Sequence, residues 1–283
     1  MRALLTRLVT RLGNDRRLDR VTDLVAGAVK RAVPAGTAKD ALSGVWLGHP
    51  VHPMLTDLPI GFWTSAFMLD FVGGRDGRKP AARLVGLGVL SAIPAALAGG
   101  SDWGDTAGPA RRVGLVHAVA NTAAVACYGA SWWNRRKGRQ LRGVAYGLVG
   151  ASAATVGGYL GGHLLEGLGV GVDHTAFETR PAEWTRACAT RDVTDAPRCF
   201  DVGDAPVIVF RHHGQPVALG GRCPHRGGPM AEGTVDGDAI VCPWHGSRFR
   251  IVDGDIEHGP STRSLPAYDC RQQGDDVEIR ARS

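Results

Sequence analysis

The four longest apolar runs of this 283-residue chain carry almost no charge. They span about Leu55 to Val72, Ala81 to Gly100, Val113 to Trp133 and Gly143 to Leu165. The first holds Asp57 and Asp70 near its ends, the second holds Arg83 near its start, and the last two hold no charged residue. A soluble helix normally keeps a polar face. Its absence argues against a soluble bundle, which stays as the alternative to a membrane domain. Each run approaches the roughly 20 residues that a helix needs to cross a ~30 Å hydrocarbon core. Also lacking is an apolar stretch of adequate length ahead of a small-residue cleavage site, which argues against a cleaved signal peptide. No nucleic-acid module is present either. The basic residues sit at the N-terminus and in short loops between apolar runs, the pattern of a membrane-surface contact.

What is abundant in these runs is small residues. Gly150, Ala154, Gly158 and Gly162 recur every four positions in the fourth run, a spacing that lets helices approach closely in lipid. Trp132 and Trp133 close the third run and Trp103 lies between the second and third, as interfacial aromatic residues tend to. Ahead of the runs, Leu4, Leu5, Leu8, Val9 and Leu12 form one helical stripe with Arg2, Arg7 and Arg11 elsewhere on the surface. This predicts an amphipathic helix lying on an anionic leaflet. Charge divides unevenly: net +9 up to Asp173 and −3 from His174 onward.

The C-terminal third contains two fingers, "CPHRGGPM" from Cys223 and "CPWHGSRF" from Cys242. They offer two thiolates and two imidazoles as Cys223-x-His225 and Cys242-x-x-His245, with sixteen residues between His225 and Cys242. Zinc could take such a set, although a Cys2His2 zinc site usually groups the two Cys before the two His. Mixed fingers suit a [2Fe–2S] cluster in which one iron takes both Cys and the other both His. Gly227, Gly228 and Gly246 permit tight turns around the sulfurs. Around the fingers, "APVIVFRHHGQPVAL" and "GDDVEIRA" predict a small antiparallel β fold.

With these motifs the sequence resembles the Rieske family, from about Glu183 to Arg282. The resemblance implies that Cys223 and Cys242 bind the buried iron, that His225 and His245 bind the outer iron and face a partner, and that "HGPSTRSLPAYDC" is the loop covering the cluster. High-potential members of that family have an extra Cys in each finger; here Gly228 and Trp244 stand at those positions, so no disulfide staples the loops. Of the two hydroxyls that raise the potential by hydrogen bonding to the cluster, Ser247 supplies one. Phe249 stands at the Tyr position and cannot donate, which implies a lower potential. The remaining cysteines, Cys127, Cys188, Cys199 and Cys270, lack ligand spacing and are read as buried thiols, with a Cys188–Cys199 pairing left open. An oxygenase of this family needs a second iron in a large following domain. Only thirty-eight residues follow His245, so a self-contained oxygenase is not expected.

"GHPVHPMLTDLPIGFW" and "GGHLLEGLGVGV" resemble a family of bacterial four-helix membrane proteins, DUF2231, over about Leu47 to Phe177. With four crossings, His49, His52, Asp57, Asp102, His117 and His163 gather at one membrane face, the face that also bears the C-terminal domain. Structural hydrogen bonds are the expectation for each histidine alone. For the group, a haem with two axial His, a quinone or a metal is the further expectation. The loops holding Arg75, Arg78, Lys79 and Arg135, Arg136, Lys137, Arg139 argue by the positive-inside rule for cytoplasmic loops. The basic N-terminal tail and Arg111 and Arg112 argue the reverse. The difficulty of exporting that tail and the missing disulfide favour a cytoplasmic Rieske domain.

The expected fold class is therefore multi-domain: an N-terminal all-α transmembrane four-helix bundle, then a small all-β Rieske-type domain. Its expected boundaries are 1–46 (amphipathic basic segment), 47–173 (membrane domain), 174–182 (linker) and 183–283 (cluster domain). The expected role is a multi-pass cell-membrane protein carrying single electrons between a donor and an acceptor, which are redox proteins or a quinone. A non-redox membrane adaptor with a zinc-stabilised Cys2His2 cap is the alternative.

Overall fold

The computed structural model describes residues 2–282, with helices in the N-terminal part and strands in the C-terminal part. The chain forms two compact units that do not follow its linear order. One contains the chain up to Val33 together with Val51–Val170; the other contains Pro34–Pro50 and everything from Gly171. These limits fall elsewhere than the sequence boundaries at 46/47 and 173/174, because the stretch Pro34–Pro50 is bound to the strands by side-chain contacts far apart in sequence.

In the helical unit, α1 (Arg2–Asn14) and α2 (Asp19–Ala32) lead into α4 (Val51–Val72), α5 (Arg78–Gly104), α6 (Gly108–Arg136) and α7 (Gln140–Gly162), the short α3 (Thr37–Ser43) belonging to the other unit. α4 packs along α5 and α6 along α7, and α5 against α6 joins the pairs. α5 and α6 are long and apolar enough to cross a membrane; α4 and α7 have 22 and 23 residues. The chain leaves α7 through a π-helical turn at His163–Gly167.

Close helix approach is real here, but its glycines are not the predicted stripe. Gly150, Gly157 and Gly161 of α7 face α6: a Cβ on them would meet Tyr128, Asn121 and His117 respectively. Gly158 and Gly162 would meet nothing within 4 Å. The reason is geometric. At 3.6 residues per turn, a strict four-residue step drifts about 40° around the helix each time, whereas alternating steps of three and four hold one face.

The predicted amphipathic stripe also divides. Val9 is buried against Val113 and Leu160, with Leu12 packed beside them, while Leu4 and Leu8 are exposed. α1 and α2 are further tied down by Arg112, which donates to Asp19 and to the Gly13 carbonyl, and by Arg111, which donates to Asp23. Arg135, read from sequence as a loop charge, lies at the end of α6 and grips Asp70 of α4 with both terminal nitrogens, at 2.7 and 2.5 Å. Both side chains are buried, at 2% and 7% exposure.

The second unit is built on two antiparallel sheets. The larger has six strands in the order β1-β10-β9-β4-β3-β2: β1 (Thr185–Ala189), β2 (Arg198–Val202), β3 (Ala205–His212), β4 (Gln215–Gly220), β9 (Ala267–Gln273) and β10 (Asp276–Ala281). The smaller runs β5 (Thr234–Asp236), β6 (Ala239–Val241), β7 (Arg248–Arg250), β8 (Ile256–His258). β3 explains the continuous apolar run "VIVF": Val207 and Val209 pack into one core with Val277 and Ile279, and Ile208 and Phe210 into another with Ile240 and Phe249. A strand buried on both faces has no polar alternation to show.

Candidate metal centre

The first finger lies between β4 and β5, and the second between β6 and β7. They share one backbone design. Cys223 N–H donates to the Gly228 carbonyl at 2.8 Å and Gly227 N–H donates to the Cys223 carbonyl at 2.8 Å; Cys242 N–H donates to Ser247 at 2.8 Å and Gly246 N–H to Cys242 at 3.1 Å. Gly227 and Gly246, at φ 73° and 76°, supply the left-handed turn in each. Within this common frame the histidine is the third residue of one finger and the fourth of the other.

The result is a convergent donor set. Cys223 and Cys242 are buried in the core between the sheets, beside Phe249 and Met230. The two side chains lie close enough to couple: Cys223, with the backbone amides of Trp244 and His245, lowers the Cys242 thiol against the opposing effect of burial, and Cys242 together with burial pushes Cys223 up. The rings of His225 and His245 meet edge to face, with centroids 5.1 Å apart. Burial, followed by the charges of His245, Arg226, Lys39 and His174, holds His225 well below the ordinary histidine value, which leaves its ring neutral and able to ligate.

Two observations test the fit to a metal cluster. His225 Nδ1 is buried and has no hydrogen-bond partner, an arrangement that costs free energy unless something absent from the polypeptide occupies it. A Cβ on Gly228 would stand 2.8 Å from Cys242 Sγ, so glycine keeps that sulfur accessible. Two thiols, two imidazoles, and amides turned toward the sulfurs match the requirements of a mixed-ligand iron–sulfur centre. Ser247, fully buried, accepts the Ser261 N–H at 2.9 Å. That bond joins the second finger to the loop between β8 and β9 and leaves the Ser247 hydroxyl proton free to be donated elsewhere.

Of the remaining sequence candidates, His49 falls in the strand-bearing unit and His52, Asp57, Asp102, His117 and His163 fall in the helical unit. His52 Nδ1 donates to the Ala95 carbonyl of α5 at 2.8 Å, and His117 Nδ1 to the Gly157 carbonyl of α7 at 2.8 Å. His163 lies in the turn after α7 with its ring beside Gly167. His49 is in the strand-bearing unit, where its Nε2 accepts from Arg263 at 3.1 Å. All six cysteines are free, so Cys188 and Cys199 are not bridged. Sequence reasoning missed Lys39, Asp40 and His174, which flank the fingers but come from stretches with no motif. It also missed His212 and His213 on Asp238, a trio of one half-buried and two exposed residues joined by hydrogen bonds of 3.0 and 2.8 Å.

Fold and donor set together define a small β domain whose two Cys/His fingers present a candidate metal centre. The Rieske [2Fe-2S] domain model matches residues 183–269, and a predicted membrane protein family, DUF2231, matches residues 48–174. The ferredoxin CarAc of Metapseudomonas resinovorans is 33% identical over 98 residues, covering 34% of this chain and 92% of the ferredoxin. Mouse (Mus musculus) apoptosis-inducing factor 3 is 34% identical over 95 residues, which are 33% of this chain and just 16% of that protein's length. Among solved structures, a complex of reduced oxygenase and oxidized ferredoxin in carbazole 1,9a-dioxygenase aligns at 30% identity over 36% of this chain and 98% of that one, with a TM-score of 0.33. The chain belongs to the Rieske [2Fe-2S] family and carries a DUF2231 domain ahead of its Rieske domain.

Proposed function

We propose that this protein is a membrane-anchored one-electron carrier whose Rieske domain exchanges electrons with redox partner proteins. The convergence of Cys223, Cys242, His225 and His245, with His225 Nδ1 buried and unpartnered, carries this reading. In it, the two cysteines hold one iron and the two histidines the other. A bound [2Fe–2S] cluster supplies reversible one-electron chemistry. The polypeptide supplies the rest: thiolates stabilised by backbone amides, a neutral imidazole, and a core that excludes water from the sulfurs. The ferredoxin named above, which this domain covers almost completely, supports the carrier role.

The helical unit serves in this reading as a four-crossing bilayer anchor. Two of its helices pass on length and apolar composition, and the four pack as two hairpins. Haem or quinone is not assigned to that unit, because the DUF2231 match brings neither with it. We assign the Rieske domain to the cytoplasmic side. The four cysteines outside the fingers form no disulfide, which suits a reducing compartment, and the Asp70 pairing removes Arg135 from the loop charges that argue the reverse.

Purification of the whole chain in detergent under anaerobic conditions, followed by iron and zinc analysis and EPR of the dithionite-reduced sample, tests the reading. Two irons per chain with a Rieske-type signal is the expected result. Stoichiometric zinc without iron would replace the carrier by the zinc-capped adaptor.

A further inference from the structure

Two hairpin turns meet, one from each sheet. His213 and Gly214 join β3 to β4, since His212 pairs with Gln215, and Gly237 and Asp238 join β5 to β6, since Asp236 pairs with Ala239. Both residues of the first turn have positive φ, 49° at His213 and 79° at Gly214, the requirement of a type I′ turn, whose first position favours Asn or Gly. Among the described residues, His213 is the one non-glycine residue with positive φ. In the second turn the Asp238 carbonyl accepts the Ile251 N–H at 2.9 Å, which fixes its backbone.

The first turn sets the His213 ring beside that of His212, with centroids 4.0 Å apart. Both Nε2 atoms converge on one oxygen of Asp238, at 3.0 Å from His212 and 2.8 Å from His213. The two imidazoles, His213 foremost, hold the Asp238 carboxyl below its ordinary value, so it stands ionised, the form that ligates a metal. The three ligand atoms lie within 4.8 Å of one another. Donor atoms around a tetrahedral zinc with bonds of ~2.0–2.1 Å stand about 3.3 Å apart. His213 and Asp238 are exposed, so rotation of their side chains opens a place for the ion.

We propose that His212, His213 and Asp238 form a second metal site, distinct from the fingers, which takes one divalent first-row transition ion such as Zn2+. Two imidazoles and a carboxylate suit zinc, copper or nickel, whereas magnesium and calcium call for oxygen ligands throughout. On binding, each neutral ring carries its proton on Nδ1, which frees the Nε2 lone pair for the ion. Water takes the fourth position. Four residues of chain, about 13 Å when extended, separate Asp238 from Cys242, so the two centres share no ligand.

The test dialyses the untagged full chain in detergent against a micromolar series of zinc chloride at pH 7, then counts zinc and iron per chain by mass spectrometry. One zinc beyond the metal with which the protein is purified, with the iron count unchanged, is the expected result. His213→Asn, which suits the turn, and Asp238→Asn, which keeps the side-chain shape, should each weaken that uptake about tenfold or more, because losing even an outer partner of a metal ligand costs that much. Far-UV circular dichroism checks that each variant folds, and if Asp238→Asn does not, His213→Asn carries the comparison. Uptake that neither variant weakens, or none across the series, would overturn the proposal. Zinc gained only as iron is lost would assign it to the fingers and overturn it as well.

Discussion

The His225 ring stands edge-on to the His245 ring, with the two planes at 89° and the centroids 5.1 Å apart. Two residues twenty positions apart are brought together because their fingers use one backbone design with the imidazole at neighbouring steps of the turn. Replacing either His225 or His245 with alanine should abolish the Rieske-type EPR signal while the protein still reaches the membrane fraction, since separate hydrophobic segments direct insertion. An unchanged reduced spectrum in either variant would refute the ligand assignment.

Phe249 is fully buried in one core cluster with Cys223 and Cys242. Phe249→Tyr adds a donor there and is expected to raise the midpoint potential, because a hydrogen bond to sulfur withdraws electron density. Ser247→Ala should lower it and leave the Ser261 N–H without its acceptor. Potentiometric titration of both variants checks the pair, and an unmoved potential in both would mean that neither side chain reaches the sulfurs.

Arg135 and Asp70 are a buried bidentate pair joining α6 to α4. Removing one partner strands the other charge, which typically costs ~3–5 kcal/mol. Arg135→Leu should therefore give a helical unit that aggregates or melts early in detergent, whereas Arg135→Leu combined with Asp70→Leu should recover much of the loss. Thermal unfolding followed by far-UV circular dichroism reads both.

Burial raises Glu178 above the ordinary carboxyl value, against the opposing charges of Arg222 and Arg180. A carboxyl whose folded value is raised binds its proton more tightly in the folded state. Its contribution is favourable below the unfolded value and is lost as pH rises through the folded one. Glu178→Gln should accordingly raise the temperature at which the Rieske absorbance bleaches at pH 7, and make little difference near pH 4. A lower bleaching temperature at pH 7 would show that the Arg222 pairing outweighs burial.

The sequence by itself marked the four finger candidates, the helical-then-β order and the apolar helices, because each is written in local spacing or local composition. A Cys-x-His or an uncharged run of twenty residues can be read without knowing what lies beside it. Tertiary structure alone decided which α7 glycines face a neighbour, since that depends on helical drift accumulated over several turns. It alone removed Arg135 from the loop charges, through Asp70 sixty-five positions away. Tertiary structure also put Pro34–Pro50 with the strands, through Asp40 contacts 218 and 219 positions along the chain. A single carboxylate in a helix of seven residues has no periodicity to announce it, and its place against the loop between β8 and β9 exists only once the fold has brought Gly259 to it.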